Sequence, residues 1–149
     1  MLTEFEGRVA VVTGAASGIG KAMCERFARE GMKVVMADVE GDALREAGRH
    51  VEGLGAEVLT VRTDVAQPDQ LSRLAESTIE RFGKVHVLCN NAGVFAGGRT
   101  WDAIGTDWEW VMGVNVYGVL HGVRAFVPIM LLQNEPAHVV NTCSMAGLI

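Results

Sequence analysis

The amino-acid sequence predicts an α/β fold: a parallel, doubly wound sheet of five strands in the order 3-2-1-4-5, with helices on both faces. Short apolar runs alternate with segments of helical periodicity along the chain, which is the pattern of strand–helix–strand units. The run at 34–37 is continuously apolar, as expected for a strand covered on both faces. The length of 149 residues predicts a single domain spanning 1–149.

The first half of the chain predicts three strands and three helices. Strands are expected at 8–13, 33–38 and 57–63, and helices at 19–30, 41–55 and 68–82. The first helix is expected to bury one apolar face, composed of Ile19, Ala22, Met23 and Phe27. Pro68 suits a first helical position, and Gly83 suits the residue that follows a helix.

The second half predicts strands at 85–89 and 138–142, separated by a loop and one long helix. Thr106 and Glu109 have the spacing of a capping box, so the helix is expected to begin there and to extend to about Leu132. It is apolar almost all round, which is typical of a helix buried on more than one side. Pro128 is expected to bend it or to end its regular part.

Composition argues against several classes of protein. The net charge of −5, without a basic cluster, makes nucleic acid an unexpected partner. No apolar run approaches about 18 residues and the first residues have no leader pattern, so we expect no membrane segment and a cytoplasmic location. Cys24, Cys89 and Cys143 lack metal-ligand spacing, and buried thiols are expected. The four histidines form no cluster, and no metal site is expected.

A glycine-rich stretch, Thr-Gly-Ala-Ala-Ser-Gly-Ile-Gly at 13–20, separates the first strand from the first helix. Unpaired N–H groups and the helix dipole make such a helix start an anion site, and glycines let a diphosphate approach the backbone. The spacing G-x-x-x-G-x-G differs from the common dinucleotide pattern, so by itself it also fits a plain turn. A P-loop fails at two positions, because it needs glycine at Ala15 and Ser or Thr at Ala22.

Asp38 ends the second predicted strand, in the position where a carboxylate can accept both hydroxyls of an adenosine ribose. The same carboxylate would repel a 2′-phosphate. No Arg or Lys adjoins it in the sequence, and Ser17 stands where a basic residue could have met that phosphate. The pattern therefore favours NAD over NADP. A solvated carboxylate at a strand end is the alternative.

Taken together, these motifs resemble those of the short-chain dehydrogenase/reductase family, which has a Rossmann-like fold. The resemblance covers essentially the whole chain and rests on the stretch at 13–20, Asp38, Asp64-Val65, Asn90-Asn91-Ala92-Gly93, Asn115 and Ser144. It implies an NAD(H)-dependent oxidoreductase that interconverts an alcohol and a carbonyl by hydride transfer. It also implies a small-molecule alcohol or carbonyl substrate and a homo-oligomer, either dimer or tetramer.

The resemblance implies roles for individual residues. Ser144 would hydrogen-bond the substrate oxygen, and Asn115 would hold a water that orients the catalytic lysine. The implied cofactor-binding residues are Gly14, Ser17, Gly18, Ile19, Gly20, Asp38, Val39, Asp64, Val65, Asn90, Asn91, Ala92 and Gly93. Considered without the family, Ser144 also fits an ordinary strand-end serine, Asn115 a hydrogen-bonded strut, and Asp64 a helix-capping residue.

One departure from the family pattern is clear. The family's acid/base tyrosine lies about 13 residues after the serine, with a lysine four residues later, and the sequence ends at Ile149 before either position. Tyr117 is followed by His121 and is not a substitute. We therefore expect an N-terminal part of a longer enzyme that is inactive by itself. A non-catalytic nucleotide-binding or interaction module, or a methyltransferase that binds S-adenosylmethionine, remains an alternative.

Overall fold

The computed structural model describes residues 3–147. Its strands are β1 (Val9–Thr13), β2 (Lys33–Asp38), β3 (Val58–Arg62), β4 (Val87–Asn90) and β5 (His138–Asn141). Its α-helices are α1 (Gly18–Arg29), α2 (Gly41–Glu52), α3 (Pro68–Phe82), α4 (Gly105–Met112) and α5 (Gly118–Leu132). A π-helical turn, Gly113–Tyr117, joins α4 to α5, and a 3-10 turn, Met145–Gly147, follows β5.

The five strands form one parallel sheet in the order β3-β2-β1-β4-β5, which confirms the predicted fold class. Alternate residues of each strand face opposite sides, so the sheet has two apolar cores. Ala10 and Val12 face the core under α1 and α2, whereas Val9 and Val11 face the core under α3 and α5. The chain leaves β1 in one direction and returns through β4 on the other side, and this reversal opens a crevice at the carboxyl ends of the strands.

The buried face of α1 agrees with the prediction in part: Met23 and Phe27 pack against the core, whereas Ile19 and Ala22 are exposed. Ile19 is 63% exposed, and the fully buried positions are Gly20, Cys24 and Ala28. These three are spaced by four residues and are small, so the helix axis lies close to the sheet. Ile19 belongs to the first turn, which stands at the crevice rather than over the core.

The start of α4 also differs from the prediction. The helix begins at Gly105, and the main-chain N–H of Ile104 donates to Oδ2 of Asp107 at 3.3 Å. The predicted capping box of Thr106 and Glu109 is therefore wrong, since Asp107 caps the helix instead. Pro128 does not end α5, which runs on to Leu132. The irregular segment is instead the π-helical turn, which ends at Tyr117, fifteen residues before the last residue of α5, Leu132.

The run from α4 to α5 is not buried on all sides. Its exposed apolar residues are Trp108, Trp110, Met112, Val116, Leu120, Leu131 and Leu132. The run Gly105–Leu132, with a mean hydropathy of 1.4, is long and apolar enough to cross a membrane by length and composition alone, a test that a core helix also passes. However, Phe126 and Met130 pack in the core beneath the sheet, as in a helix that covers a sheet.

The cysteines fall into two groups. Cys24 and Cys89 are buried, and burial raises the pKa of their thiols to about 12 and about 11, respectively. Cys143 is exposed, so the expectation of a buried thiol is wrong for this residue. It follows the end of β5, which is an edge strand of the sheet.

Candidate functional site

A crevice of about 660 Å³ opens at the carboxyl ends of β1, β2 and β4. All of the predicted cofactor-binding residues except Asn90 line it. They come from four separate turns that follow strands, and the parallel sheet brings those turns to one edge. The structure therefore assembles in space a set of residues that extends from Gly14 to Gly93 in the sequence.

The glycine-rich turn requires glycine at two positions for different reasons. Gly14 has φ of +66°, and a Cβ there would lie 2.8 Å from Cα of Ala92. Gly20 has ordinary helical geometry, but its Cβ would lie 2.0 Å from the carbonyl oxygen of Gly14. The turn is thus packed against the β4 loop. Its crevice side, at the start of α1, contains three glycines together with Ser17 and Ile19, and a helix start of this kind is suited to an anion.

Asp38 links two turns. Its Oδ2 accepts from the main-chain N–H of Ala16 at 2.9 Å, and its Oδ1 accepts from that of Glu40 at 3.0 Å. The side chain is half-buried, so each oxygen retains lone-pair capacity toward the crevice. The carboxylate therefore orders the glycine-rich turn through bonds to main-chain amides.

Arg62 lies beside Asp38 and was not anticipated from the sequence. The two residues are paired in register across β2 and β3, and Nε of Arg62 donates to the carbonyl of Val39 at 3.0 Å. Within residues 3–147, Arg62 has no carboxylate within ion-pair distance. The sequence prediction considered only the chain neighbours of Asp38, whereas the fold pairs it with Arg62 on the adjacent strand. Strand register, which sequence neighbours do not reveal, is the reason.

Asp64 and Val65 follow β3. Oδ1 of Asp64 accepts from the N–H of Ala66 at 2.9 Å, so this oxygen caps the turn that leads into α3. Val65 is buried, and its carbonyl accepts from Nδ1 of His121 at 3.0 Å. A Cβ at Gly118 would lie 2.7 Å from Cγ2 of Val65, so α5 approaches this residue closely. Asp64 thus has a capping role and also lines the crevice.

Asn90 and Asn91 point to opposite sides of the sheet. Asn91 lies at the crevice, and its Nδ2 donates to the carbonyl of Thr13 at 3.1 Å. Asn90 is 4% exposed and donates to Oδ1 of Asn141 at 2.9 Å, on the side of α5. A Cβ at Gly122 would lie 2.1 Å from Oδ1 of Asn90. Asn90 therefore lies beneath α5, away from the crevice.

Asn115 and Ser144, the predicted catalytic residues, lie near the crevice without lining it. Asn115 is in the π-helical turn, an irregularity that is frequent at functional sites. Its amide accepts from the N–H of Val94 at 2.9 Å and donates to the carbonyl of Val94 at 2.8 Å. The hydroxyl of Ser144 accepts from the N–H of Ala146 at 3.1 Å. Both side chains are exposed, and their catalytic roles remain predictions.

The family model described as short chain dehydrogenase matches residues 8–149. The chain belongs to this family. A 1-deoxy-11-beta-hydroxypentalenate dehydrogenase of Streptomyces arenae is 45% identical to it over 95% of this chain and 51% of that protein. A CLA biosynthesis dehydrogenase/reductase of Lactiplantibacillus plantarum is 36% identical over 99% of this chain and 52% of that protein.

Solved structures of the same family agree with the fold. A short-chain dehydrogenase/reductase of Burkholderia phymatum, solved in complex with NAD, is 56% identical and superposes with a TM-score of 0.97. That match covers 99% of this chain and 53% of the other. An NAD⁺-bound xylitol dehydrogenase is 35% identical to this chain, with a TM-score of 0.93. The chain spans about half the length of the curated relatives it matches.

The crevice of this short-chain dehydrogenase chain also includes residues that sequence reasoning missed. Glu40, Thr63, Trp110, Val114 and Thr142 line it. Thr142 had a usable signal, because it is polar and directly follows β5 at the edge where the other site residues collect. Trp110 and Val114 had none, since they resemble the other apolar residues of α4 and the π-helical turn.

Proposed function

We propose that this chain binds NAD in the crevice and belongs to an oxidoreductase that interconverts an alcohol and a carbonyl by hydride transfer. The observation that carries the proposal is the placement of the Asp38 carboxylate in the crevice beside the glycine-rich turn that begins α1. The dehydrogenase names of the relatives and the NAD complex of a similar structure support it. A bound nicotinamide would supply the hydride acceptor or donor.

The residues of the crevice fit the parts of such a cofactor. Backbone N–H groups at the start of α1 suit a diphosphate, and Asp38 suits the two hydroxyls of the adenosine ribose. Asp64 and Val65 would flank the adenine. We further propose that Ser144 stabilises charge on the substrate oxygen and that Asn115 fixes the loop after β4 through Val94. Asn90 is better suited to the core than to the cofactor.

Three wider expectations accompany this proposal. We propose a cytoplasmic protein with a small-molecule alcohol or carbonyl substrate. The exposed apolar residues of α4 and α5, such as Trp108 and Leu120, support a homo-oligomer. The net charge of −5 supports a partner other than nucleic acid.

A binding experiment tests the cofactor assignment. Isothermal titration with NAD and, separately, with S-adenosylmethionine compares the two Rossmann-type alternatives in one protein preparation. We expect saturable binding of NAD and none of S-adenosylmethionine. The opposite result would exclude the oxidoreductase and favour a methyltransferase.

A non-catalytic nucleotide-binding module is the second candidate. It is favoured by one observation: the hydroxyl of Ser144 accepts from Ala146 and does not line the crevice. A screen of NAD reduction with secondary alcohols separates the candidates when it uses a protein of the relatives' full length, of which this chain spans about half. Turnover that is lost in Ser144→Ala supports the oxidoreductase, whereas NAD binding without turnover of any alcohol supports the module.

A further inference from the structure

The side-chain amide of Asn91 joins the carboxyl ends of β1 and β5. Its Nδ2 donates to the main-chain carbonyls of Thr13 and Gly14, at 3.1 and 3.4 Å. Its Oδ1 accepts from the hydroxyl of Thr142 at 3.1 Å. Because both amide hydrogens face carbonyl oxygens, the amide has one orientation, and Thr142 must be the donor. A directed chain of hydrogen bonds therefore runs from the residue after β5 to the glycine-rich turn.

The packing around Asn91 leaves it little freedom to move. A Cβ at Gly20 would lie 2.7 Å from Nδ2 of Asn91, and a Cβ at Gly14 would lie 3.2 Å from the same atom. The main-chain N–H of Asn91 donates to Oγ1 of Thr13 at 3.0 Å, which fixes the backbone as well as the side chain. Close-packed, fully bonded groups transmit a displacement rather than absorb it.

Thr142 connects this packed centre to the segment that carries Ser144. Its main-chain N–H donates to the carbonyl of Asn90 at 3.0 Å, so strand pairing continues one residue beyond β5. Ser144 follows two residues later, and the 3-10 turn Met145–Gly147 begins directly after it. Thr142 also lines the crevice.

We propose that Thr142 is a positioning residue. Its hydroxyl holds the end of β5, and with it Ser144, in a fixed relation to the glycine-rich turn through the amide of Asn91. Under the function proposed above, on which this meaning rests, the link keeps the group that binds the substrate oxygen in register with the bound cofactor. Under this proposal, Thr142 contacts neither the substrate oxygen nor the reacting atom of the cofactor, and it acts through Asn91.

The opposite side of the same two strands offers a matched control. Asn90 donates to Oδ1 of Asn141 at 2.9 Å, one position before the Asn91–Thr142 pair. Both pairs link β4 to β5 by one side-chain hydrogen bond, but neither Asn90 nor Asn141 lines the crevice. Asn141→Ala therefore weakens strand pairing without touching the glycine-rich turn.

Hydrogen–deuterium exchange tests the link directly. Thr142→Val keeps the shape of the side chain and removes the hydroxyl, and we expect exchange to rise about tenfold in both 13–20 and 141–147. Thr142→Ser should restore the wild-type rates, and Asn141→Ala should raise exchange only near β5. Wild-type exchange at 13–20 in Thr142→Val, or an equal rise there in Asn141→Ala, would overturn the proposal. Thr142→Ala repeats the comparison if Thr142→Val does not fold.

Kinetics test the functional meaning of the link. In a protein of the relatives' full length that contains this chain, assayed with NAD and a secondary alcohol, we expect Thr142→Val to lower kcat about tenfold while KM for NAD stays within about twofold, and Thr142→Ser to recover kcat. An unchanged kcat alongside faster exchange would contradict the positioning of Ser144. If the wild-type protein binds no NAD, the proposed function fails, whereas the exchange result still decides whether Thr142 is coupled to the turn.

Discussion

The two edges of the parallel sheet differ in the partners of their carboxylates. At the carboxyl edge, Asp38 accepts from the main-chain N–H groups of Ala16 and Glu40. At the amino edge, Glu135 accepts from Arg8 at 2.6 Å and contacts Nε2 of His86 at 3.1 Å. Hydrogen bonds order both edges, but Asp38 accepts from uncharged main-chain groups, whereas Glu135 accepts from cationic side chains.

We therefore interpret the carboxyl edge as the ligand-binding edge of the sheet and the amino edge as an edge that stabilises the fold. The two hydrogen bonds of Asp38 come from main-chain amides, so its remaining lone pairs can accept from a ligand. Glu135 is also paired with Lys84, and the hydrogen bonds from Lys84 and His86 lower its pKa to about 2. Its charge is matched by nearby cations, and the cluster ties the segment before β5 to β1 and β4. We expect substitutions at the first edge to change ligand affinity and substitutions at the second to change stability.

The largest effect is expected from Gly20→Ala at the carboxyl edge. The new methyl group would lie 2.0 Å from the carbonyl oxygen of Gly14, so the turn must shift. Overpacking of this kind costs about 1–3 kcal/mol, and we expect NAD affinity to fall about 100-fold. Titration calorimetry measures the affinity. Gly105→Ala is the control, because a Cβ there meets nothing within 4 Å; equal affinities in both variants would contradict the packing argument.

Asp38→Asn is expected to have the next largest effect. An asparagine keeps the shape but loses the charge and one of the two acceptor oxygens, so NAD affinity should fall about tenfold. NADP should then bind almost as well as NAD, because Arg62 lies beside this position and lacks a carboxylate partner within residues 3–147. Titration with both dinucleotides measures the ratio. If Arg62→Gln in the Asp38→Asn background leaves NADP affinity unchanged, Arg62 has no part in it.

The sequence predicted the elements of the carboxyl edge better than their contacts. The residues at strand ends were found because a parallel sheet must bring such ends together, whatever the packing of its helices. Arg62 was missed because strand register is a tertiary property, and its neighbour in space, Asp38, lies 24 positions away by residue number. The exposure of Ile19 in α1 was missed for a related reason: Ile19 has helical spacing with the core residues but lies at the crevice.

The amino edge could not have been predicted from the same patterns. His86 lies in an apolar run and carries no spacing signal, yet it is 3% exposed, and its Nδ1 accepts from the N–H of Val9 at 3.0 Å. The partner Glu135 lies in a polar turn that sequence reasoning treated only as a connection. Pairs formed between distant turns leave no local trace in composition or periodicity.

At the amino edge, we expect stability to fall on acidification in two steps. Burial lowers the pKa of His86 below its usual value, so the unfolded chain binds the proton more readily and stability declines as the pH falls below about 6.5. Glu135, with its pKa lowered to about 2, contributes stability above about 4.5 that is lost as the pH falls toward 2. Urea unfolding at several pH values measures both steps.

His86→Gln separates the two steps. It should remove the decline near neutral pH and cost about 1–3 kcal/mol in unfolding free energy, since a buried N–H of Val9 loses its partner. His138→Gln is the matched control, because His138 is exposed. NAD affinity should be the same in the wild type, His86→Gln and His138→Gln. A changed affinity in His86→Gln would contradict the proposal that the amino edge affects stability and not ligand binding.

The smallest effect is expected from Asn115→Ala, which tests whether an uncharged link at the carboxyl edge behaves like a charged one. The amide binds only the main chain of Val94 and is exposed, so its loss should cost less than about 1 kcal/mol. Hydrogen exchange at 94–97 should rise a few-fold while NAD affinity changes little. Asn115→Asp, which retains the acceptor for the N–H of Val94 and loses the donor, should be intermediate. A loss of NAD affinity larger than that of Asp38→Asn would show that the order of the loop, rather than charge at Asp38, governs binding.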